Sequence, residues 1–279
     1  MLQRRNIKAD MPEGSDNPLN AAVTGRDRST LEMVAEAVKH NQTLLAFQPI
    51  MQSNAPHEVA FYEGLIRVLD ETGRVIPARD FMGVVEKTEL GRDIDCVSLE
   101  MGLRSLAKNP SIRISINMSA RSIGYRKWMR VLDRHLNKDE SLGERLILEV
   151  SEKSAMLLPE LVVDFMDRLQ DRGICFALDD YGTGDTAVRH FRHFLFDLVK
   201  IDGEFVRGLS TNPDNQLLVR ALVSVAQQFE MLTVAASVET IEDAEFLVSI
   251  GVDCLQGYLF GAPTVRPPWI PEKAAEASA

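Results

Sequence analysis

Cysteine is scarce in this chain of 279 residues, and its three examples, Cys96, Cys175 and Cys254, lie far apart. No Cys-x-x-Cys pair occurs, which removes support for a zinc site or a dithiol couple and fits a reduced, cytoplasmic setting. No long basic block is present and the net charge is −10. A nucleic-acid backbone, DNA included, is therefore not the favoured partner. A phosphate ligand would need local cations: a metal, arginine or lysine. The N-terminus lacks the apolar core of a signal peptide, and no segment approaches the roughly 18 apolar residues of a membrane span. A Gly-rich dinucleotide loop is also missing.

What is present is ordinary for a packed domain: 45% hydrophobic and 26% charged residues. Residues 1–30 are polar, hold Pro12, Gly14, Pro18 and Gly25, and read as a flexible tail. A helix is expected to begin near Ser29 or Thr30. Residues 31–265 then alternate short apolar runs with helical patterns, and 266–279 read as a C-terminal tail. Strands are expected at 44–51, 57–68, 111–118, 146–150, 174–178, 198–201, 233–238 and 254–255. Helices are expected at 80–88, 93–107, 125–136, 158–172, 186–195, 215–229 and 241–250. Such alternation predicts an α/β fold, a TIM-type (β/α)8 barrel.

The run Ile174–Leu178 ends in two adjacent carboxylates, Asp179 and Asp180, followed by a loop with Gly182 and Gly184. Two readings stand for the pair: a divalent-metal site or a polar Asx-type turn. Other strand ends carry Glu63, Asn117, Glu149, Lys200, Glu239 and Gln256. In a barrel these side chains converge on one mouth. Glu63, Asn117, Glu149 and Asp179 would make an all-oxygen set suited to Mg²⁺ or Mn²⁺, and Asp179 would bridge to a second ion at Asp180. A metal pair of this kind suits phosphodiester hydrolysis.

These residues also carry a family resemblance. Gln48-Pro49-Ile50 resembles QPI, Glu63-Gly64-Leu65-Ile66-Arg67 resembles EALxR, and Ser115–Ser119 resembles VNLS. Leu148–Glu152 resembles LEITE, Asp179–Gly184 resembles DDFGTG, Lys200–Asp202 matches KID and Gln256–Gly261 matches QGYLFG. The chain thus resembles the EAL domain family of cyclic di-GMP phosphodiesterases over residues 31–265. The resemblance implies metal ligation by Glu63, Asn117, Glu149, Asp179 and Asp180. It implies that Lys200 sits by the attacking water and that Glu152 braces the loop after Asp180. It implies nucleotide contacts from Gln48, Leu65, Arg67 and Gln256.

One departure stands out. Where the family has AEGVET, this chain reads Ala235-Ala236-Ser237-Val238-Glu239-Thr240. The carboxylate that the family is thought to use near the metal-bound water is replaced by the Ala236 methyl, which accepts no proton. Only Glu239 remains. A second departure is Asp185–Val188, where the family has a YSSL-like run. His190 and His193 fit a solvated helix face. The readings are a cyclic di-GMP receptor with weak or no hydrolysis, a working phosphodiesterase making linear pGpG with Glu239 or Lys200 compensating, or a ligand-free interaction module. Ala236 favours the first over the second, and the intact ligand set argues against the third. The amphipathic stretch 215–229 would pack on the barrel or dock a signalling partner or a second copy as a homodimer.

Overall fold

The computed structural model describes residues 18–184 and 191–270. Helix α1 (Pro18–Lys39) leads into a hairpin of β1 (Thr43–Gln52) and β2 (Val59–Leu69). A short β3 (Val75–Pro77), a one-turn α2 (Met82–Val85) and the long α3 (Glu89–Lys108) follow. The chain then alternates: β4 (Ile114–Asn117), α4 (Arg126–Leu136), β5 (Leu146–Ser151), α5 (Glu152–Leu157), α6 (Pro159–Gln170) and β6 (Cys175–Tyr181). The last part comprises β7 (Leu198–Ile201), α7 (Gly203–Val206), α8 (Pro213–Gln228), β8 (Leu232–Ala235), α9 (Ile241–Ser249) and β9 (Cys254–Leu255).

The strand order is β1-β9-β8-β7-β6-β5-β4-β2-β3, and β1 also pairs with β2. That extra pairing closes an eight-stranded ring, with β3 appended outside it. The expected barrel is therefore present, with one difference in direction. Strand β1 runs antiparallel to both β2 and β9, while the other ring neighbours are parallel. The physical reason is the short connection 53–58, which closes a hairpin but cannot hold a crossover helix.

Three other boundaries differ from expectation. Helix α1 starts at Pro18, not near Ser29. Its first half has no apolar stripe to read: residues 23–29 are almost all exposed. That half is supported by an Arg28–Glu32 pair at 2.8 Å, and Pro18 suits a first helical position. The stretch 80–88 is a 3₁₀ turn plus α2, not one helix. Beyond residue 265, Trp269 packs edge-on to Tyr62 and Phe47, with centroids 4.4 and 5.2 Å apart. The expected helix 186–195 and the segment Asp185–Val188 lie largely outside the described residues, as does His190. His193 is exposed.

The core has two layers. Outside the ring, helices bury a large cluster that includes Leu99, Leu103, Trp128, Phe165 and Phe176 against the sheet. Inside it, Ile50, Phe61, Ile147, Ala177, Leu198, Val234 and Cys254 form an apolar plug. This inner plug sets up the site, because side chains of a strand return to the same face every second residue.

Candidate functional site

Two residues beyond each plug residue lies the next inward position of its strand. Phe61 leads to Glu63, Ile147 to Glu149, Ala177 to Asp179, Leu198 to Lys200 and Cys254 to Gln256. On antiparallel β1 the count runs backwards, from Ile50 to Gln48, which faces Glu63 in register. Strand β4 contributes Asn117, paired with Glu149. On β8, Val234 leads to Ala236. The barrel mouth is thus a ring of polar side chains with a methyl group at one position.

Lys200 sits at the centre, 3% exposed. Its Nζ donates to Glu149 Oε2 at 2.6 Å and to Glu63 Oε2 at 3.0 Å, and lies 3.5 Å from Asp179 Oδ1. Asn117 Nδ2 donates to Glu63 Oε1 at 2.9 Å. Gln256 Nε2 donates to Glu63 Oε2 at 2.6 Å and to Gln48 Oε1 at 3.1 Å. Gln48 Nε2 in turn donates to the Gly261 carbonyl at 3.0 Å. Most of the residues singled out from the sequence therefore form one connected cluster.

The electrostatics follow from several carboxylates around one ammonium. Burial pushes Glu63 up, but the Lys200 charge and the Gln256 and Asn117 hydrogen bonds outweigh it and hold the carboxyl below its ordinary value. Burial, then the Glu63 charge, push Glu149 up to about 8. Burial raises Asp179 despite Lys200. Burial and the neighbouring Asp179 raise Asp180 to about 6. Burial alone would lower Lys200, yet the three carboxylates raise it well above the ordinary lysine value.

Strand β6 reaches Tyr181, so Asp179 and Asp180 belong to the strand and do not follow it. Strict alternation would send them to opposite faces. The register against β7 shifts between Leu178 and Tyr181, and Asp180 has a left-handed φ of 56°. The bulge re-aims the pair, and both carboxylates line the same cleft. Glu152, 2% exposed at the start of α5, accepts from the Gly182 amide at 2.9 Å and the Gly184 amide at 3.3 Å. Gly182 has φ +101°, and a Cβ there would lie 2.9 Å from Leu222 Cδ1. The loop after the carboxylates thus needs glycine for both conformation and space.

The cleft over the ring has a volume of about 820 Å³, within the usual range for a small-ligand site. Leu65 and Arg67 line it from β2, and Ala236 and Glu239 from the β8 side. Arg67 is half-buried and donates to the Ile66 carbonyl at 2.9 Å. Glu239 does not join the carboxylate cluster. It is exposed, just before the Thr240 cap of α9, and lies 3.9 Å from Arg207 Nε. A recess of about 530 Å³ shares Leu65, Arg79, Asp179 and Asp180 with the cleft and extends to Asp95. Sequence reasoning missed Arg79, Asp202, Arg207 and Tyr258, which also line the cleft. For Arg207 the available signal was its place directly after the short helix that follows the Lys200 strand.

A metal's fit can be judged from the donor set. Glu149 Oε1 is buried without a hydrogen-bond partner among the described residues, and the cluster holds more carboxylates than cations. Both features suit a hard divalent ion with oxygen ligands. Among the described residues, however, no three carboxylate, imidazole or thiol groups are gathered as a ready-made cage, and the Lys200 ammonium stands among the carboxylates.

The EAL domain profile matches residues 31–263. The chain belongs to the EAL domain family. Its EAL domain is 31% identical over 239 residues to the cyclic di-GMP phosphodiesterase PdeF of Escherichia coli K12, a match covering 84% of this chain and 31% of that protein. It is 29% identical over 234 residues to the cyclic di-GMP phosphodiesterase PdeB of Shewanella oneidensis, covering 82% of this chain and 27% of that one. The chain thus spans about a third or less of these relatives. The PaMucR phosphodiesterase, solved as a c-di-GMP complex, superposes with a TM-score of 0.77 at 26% identity, covering 88% of this chain and 99% of that chain. The FimX EAL domain from Pseudomonas aeruginosa, bound to c-di-GMP, shares the fold at a TM-score of 0.77 and 22% identity, covering 85% and 96%. No helix among the described residues is long and apolar enough to cross a membrane.

Proposed function

We propose that this EAL domain is a cyclic di-GMP receptor that binds the dinucleotide in the cleft and hydrolyses it weakly or not at all. The observation that carries the reading is the methyl group of Ala236 in an otherwise polar ring. Arg67 is the natural phosphate contact, because its planar fork of donors matches phosphate oxygens. Leu65, Gln48 and Gln256 would bear on the bases and ribose. Glu63, Asn117, Glu149 and Asp179 would hold one Mg²⁺ or Mn²⁺, and Asp179 with Asp180 a second. Such ions, when bound, polarise phosphoryl oxygens and lower the pKa of water.

What the ring lacks among the described residues is a base for that water, because Ala236 brings a methyl where the family has a carboxylate. Lys200 is a donor whose ammonium three carboxylates stabilise, so it does not accept the proton. Glu239 sits at the rim beside Arg207. Loss of a general base typically lowers turnover by about 10²–10⁴-fold. The competing reading, an Mg²⁺- or Mn²⁺-dependent phosphodiesterase making pGpG, draws on the relatives' activity and needs Glu239 to supply the base. A module without ligand would leave the whole ring unused. Cyclic di-GMP affinity and pGpG formation, measured together with Mn²⁺ or Mg²⁺, separate the three. Binding with little pGpG supports the receptor, ordinary turnover supports the enzyme, and no binding supports the module.

A further inference from the structure

Next to Ala236, Ser237 occupies a position where the family pattern has glycine. Its φ is +61°, in the left-handed region, where a Cβ crowds the carbonyl oxygen. Strain kept at a cleft points to a use for the side chain. Ser237 Oγ accepts from Arg207 Nη2 at 3.2 Å. The space for this contact exists because residue 203 is glycine. A Cβ there would overlap Ser237 Oγ, and would lie 2.6 Å from the Ser237 Cβ and 3.2 Å from Arg207 Nη2.

The arrangement aims a cation at the ligand cleft. Arg207 lines that cleft, with its side chain 58% exposed, and among the described residues its ion-pair partner is Glu239, only at 3.9 Å. Ala236 brings no negative charge beside it. Arg67 and Arg79 line the cleft from β2 and the turn after β3. A cyclic dinucleotide carries two phosphodiesters, so cations on both walls match its charge. We propose that Ser237 is a positioning residue that holds Arg207 over the β8 wall, where the guanidinium takes a phosphodiester of the ligand.

This inference rests on the proposal that the cleft binds cyclic di-GMP. The test is equilibrium binding of cyclic di-GMP to the full chain, with the nucleotide's integrity checked, for wild type, Arg207→Gln, Ser237→Gly and the double variant. Arg207→Gln should weaken binding about tenfold, the loss of one charge-assisted contact. Ser237→Gly should weaken it about threefold while raising the melting temperature by about 2 °C, because glycine relieves the strain. In the double variant, Ser237→Gly should cost no further affinity, since the two act as one unit. If both single variants bind as wild type does, or if Ser237→Gly weakens binding equally without Arg207, this inference is wrong and the receptor reading stands. If wild type does not bind cyclic di-GMP, both fall.

Discussion

From β9 through β1 and β2 round to β7, the barrel mouth is lined by side chains that hold one another. Glu63 alone engages Asn117, Lys200 and Gln256, and Glu149 is fully buried against Lys200. Across β8 the same ring level carries Ala236, then a strained Ser237 and an exposed Glu239. The first region costs much to build, since buried charge must be paired, and one ammonium, Lys200, is shared by three carboxylates. The second carries a methyl at the ring level, and its carboxylate, Glu239, stands apart at the rim beside Arg207. Under the proposed reading, groups that would hold an anionic ligand and its metal persist without the group that would activate water.

The strongest way to break this comparison is to damage the first region. Replacing Lys200 by methionine leaves buried carboxylates without their cation and should destabilise the fold by about 3–5 kcal/mol, as for other broken buried pairs. Denaturant unfolding measures it, and a loss near zero would mean the cluster is not the unit described. Next in size, Glu152→Ala orphans the amides of Gly182 and Gly184. A cost of about 2 kcal/mol is expected, with weaker cyclic di-GMP binding because the loop beside Asp180 loses its brace.

The adjoining recess sharpens the contrast through pH. Asp95 accepts from Ser122 Oγ at 2.5 Å and the Ser119 amide at 3.0 Å. Burial nonetheless raises its pKa from 3.8 to about 7. The folded state keeps this proton to higher pH than the unfolded chain does. Its stabilising effect is therefore full below the unfolded pKa and is lost as pH rises from about 4 to about 7. Melting curves across that range should be flatter for Asp95→Asn than for wild type, and parallel curves would refute the assignment. The smallest effect belongs to the second region. Glu239→Gln breaks only an exposed pair at 3.9 Å, so stability should change by less than about 0.5 kcal/mol and residual turnover should stay level. A collapse of turnover would instead make Glu239 the working base.

The ring was largely legible in the sequence because its logic is local. Polar residues two places beyond apolar strand residues mark inward positions at strand ends, and Glu63, Glu149, Asp179 and Lys200 all obey it. Ala236 was legible only against the family's AEGVET pattern, as a gap in a motif, because a methyl at a strand end carries no signal of its own. What escaped depends on backbone geometry or on distant partners. No periodicity announces the bulge that turns Asp180 toward the cleft, the left-handed φ of Ser237, or its hydrogen bond to Arg207, thirty residues away. The early start of α1 escaped because a solvent-exposed half-helix has no apolar stripe, and the direction of β1 follows from loop length and not from strand pattern.

The central claim is that the mouth binds but lacks a base. Steady-state pGpG formation at saturating cyclic di-GMP and Mn²⁺, compared between wild type and Ala236→Glu, tests it most directly. Little product from wild type and a rise of about 10²-fold or more in the variant, at similar affinity, is the predicted result. Wild-type turnover equal to that of the variant would contradict it.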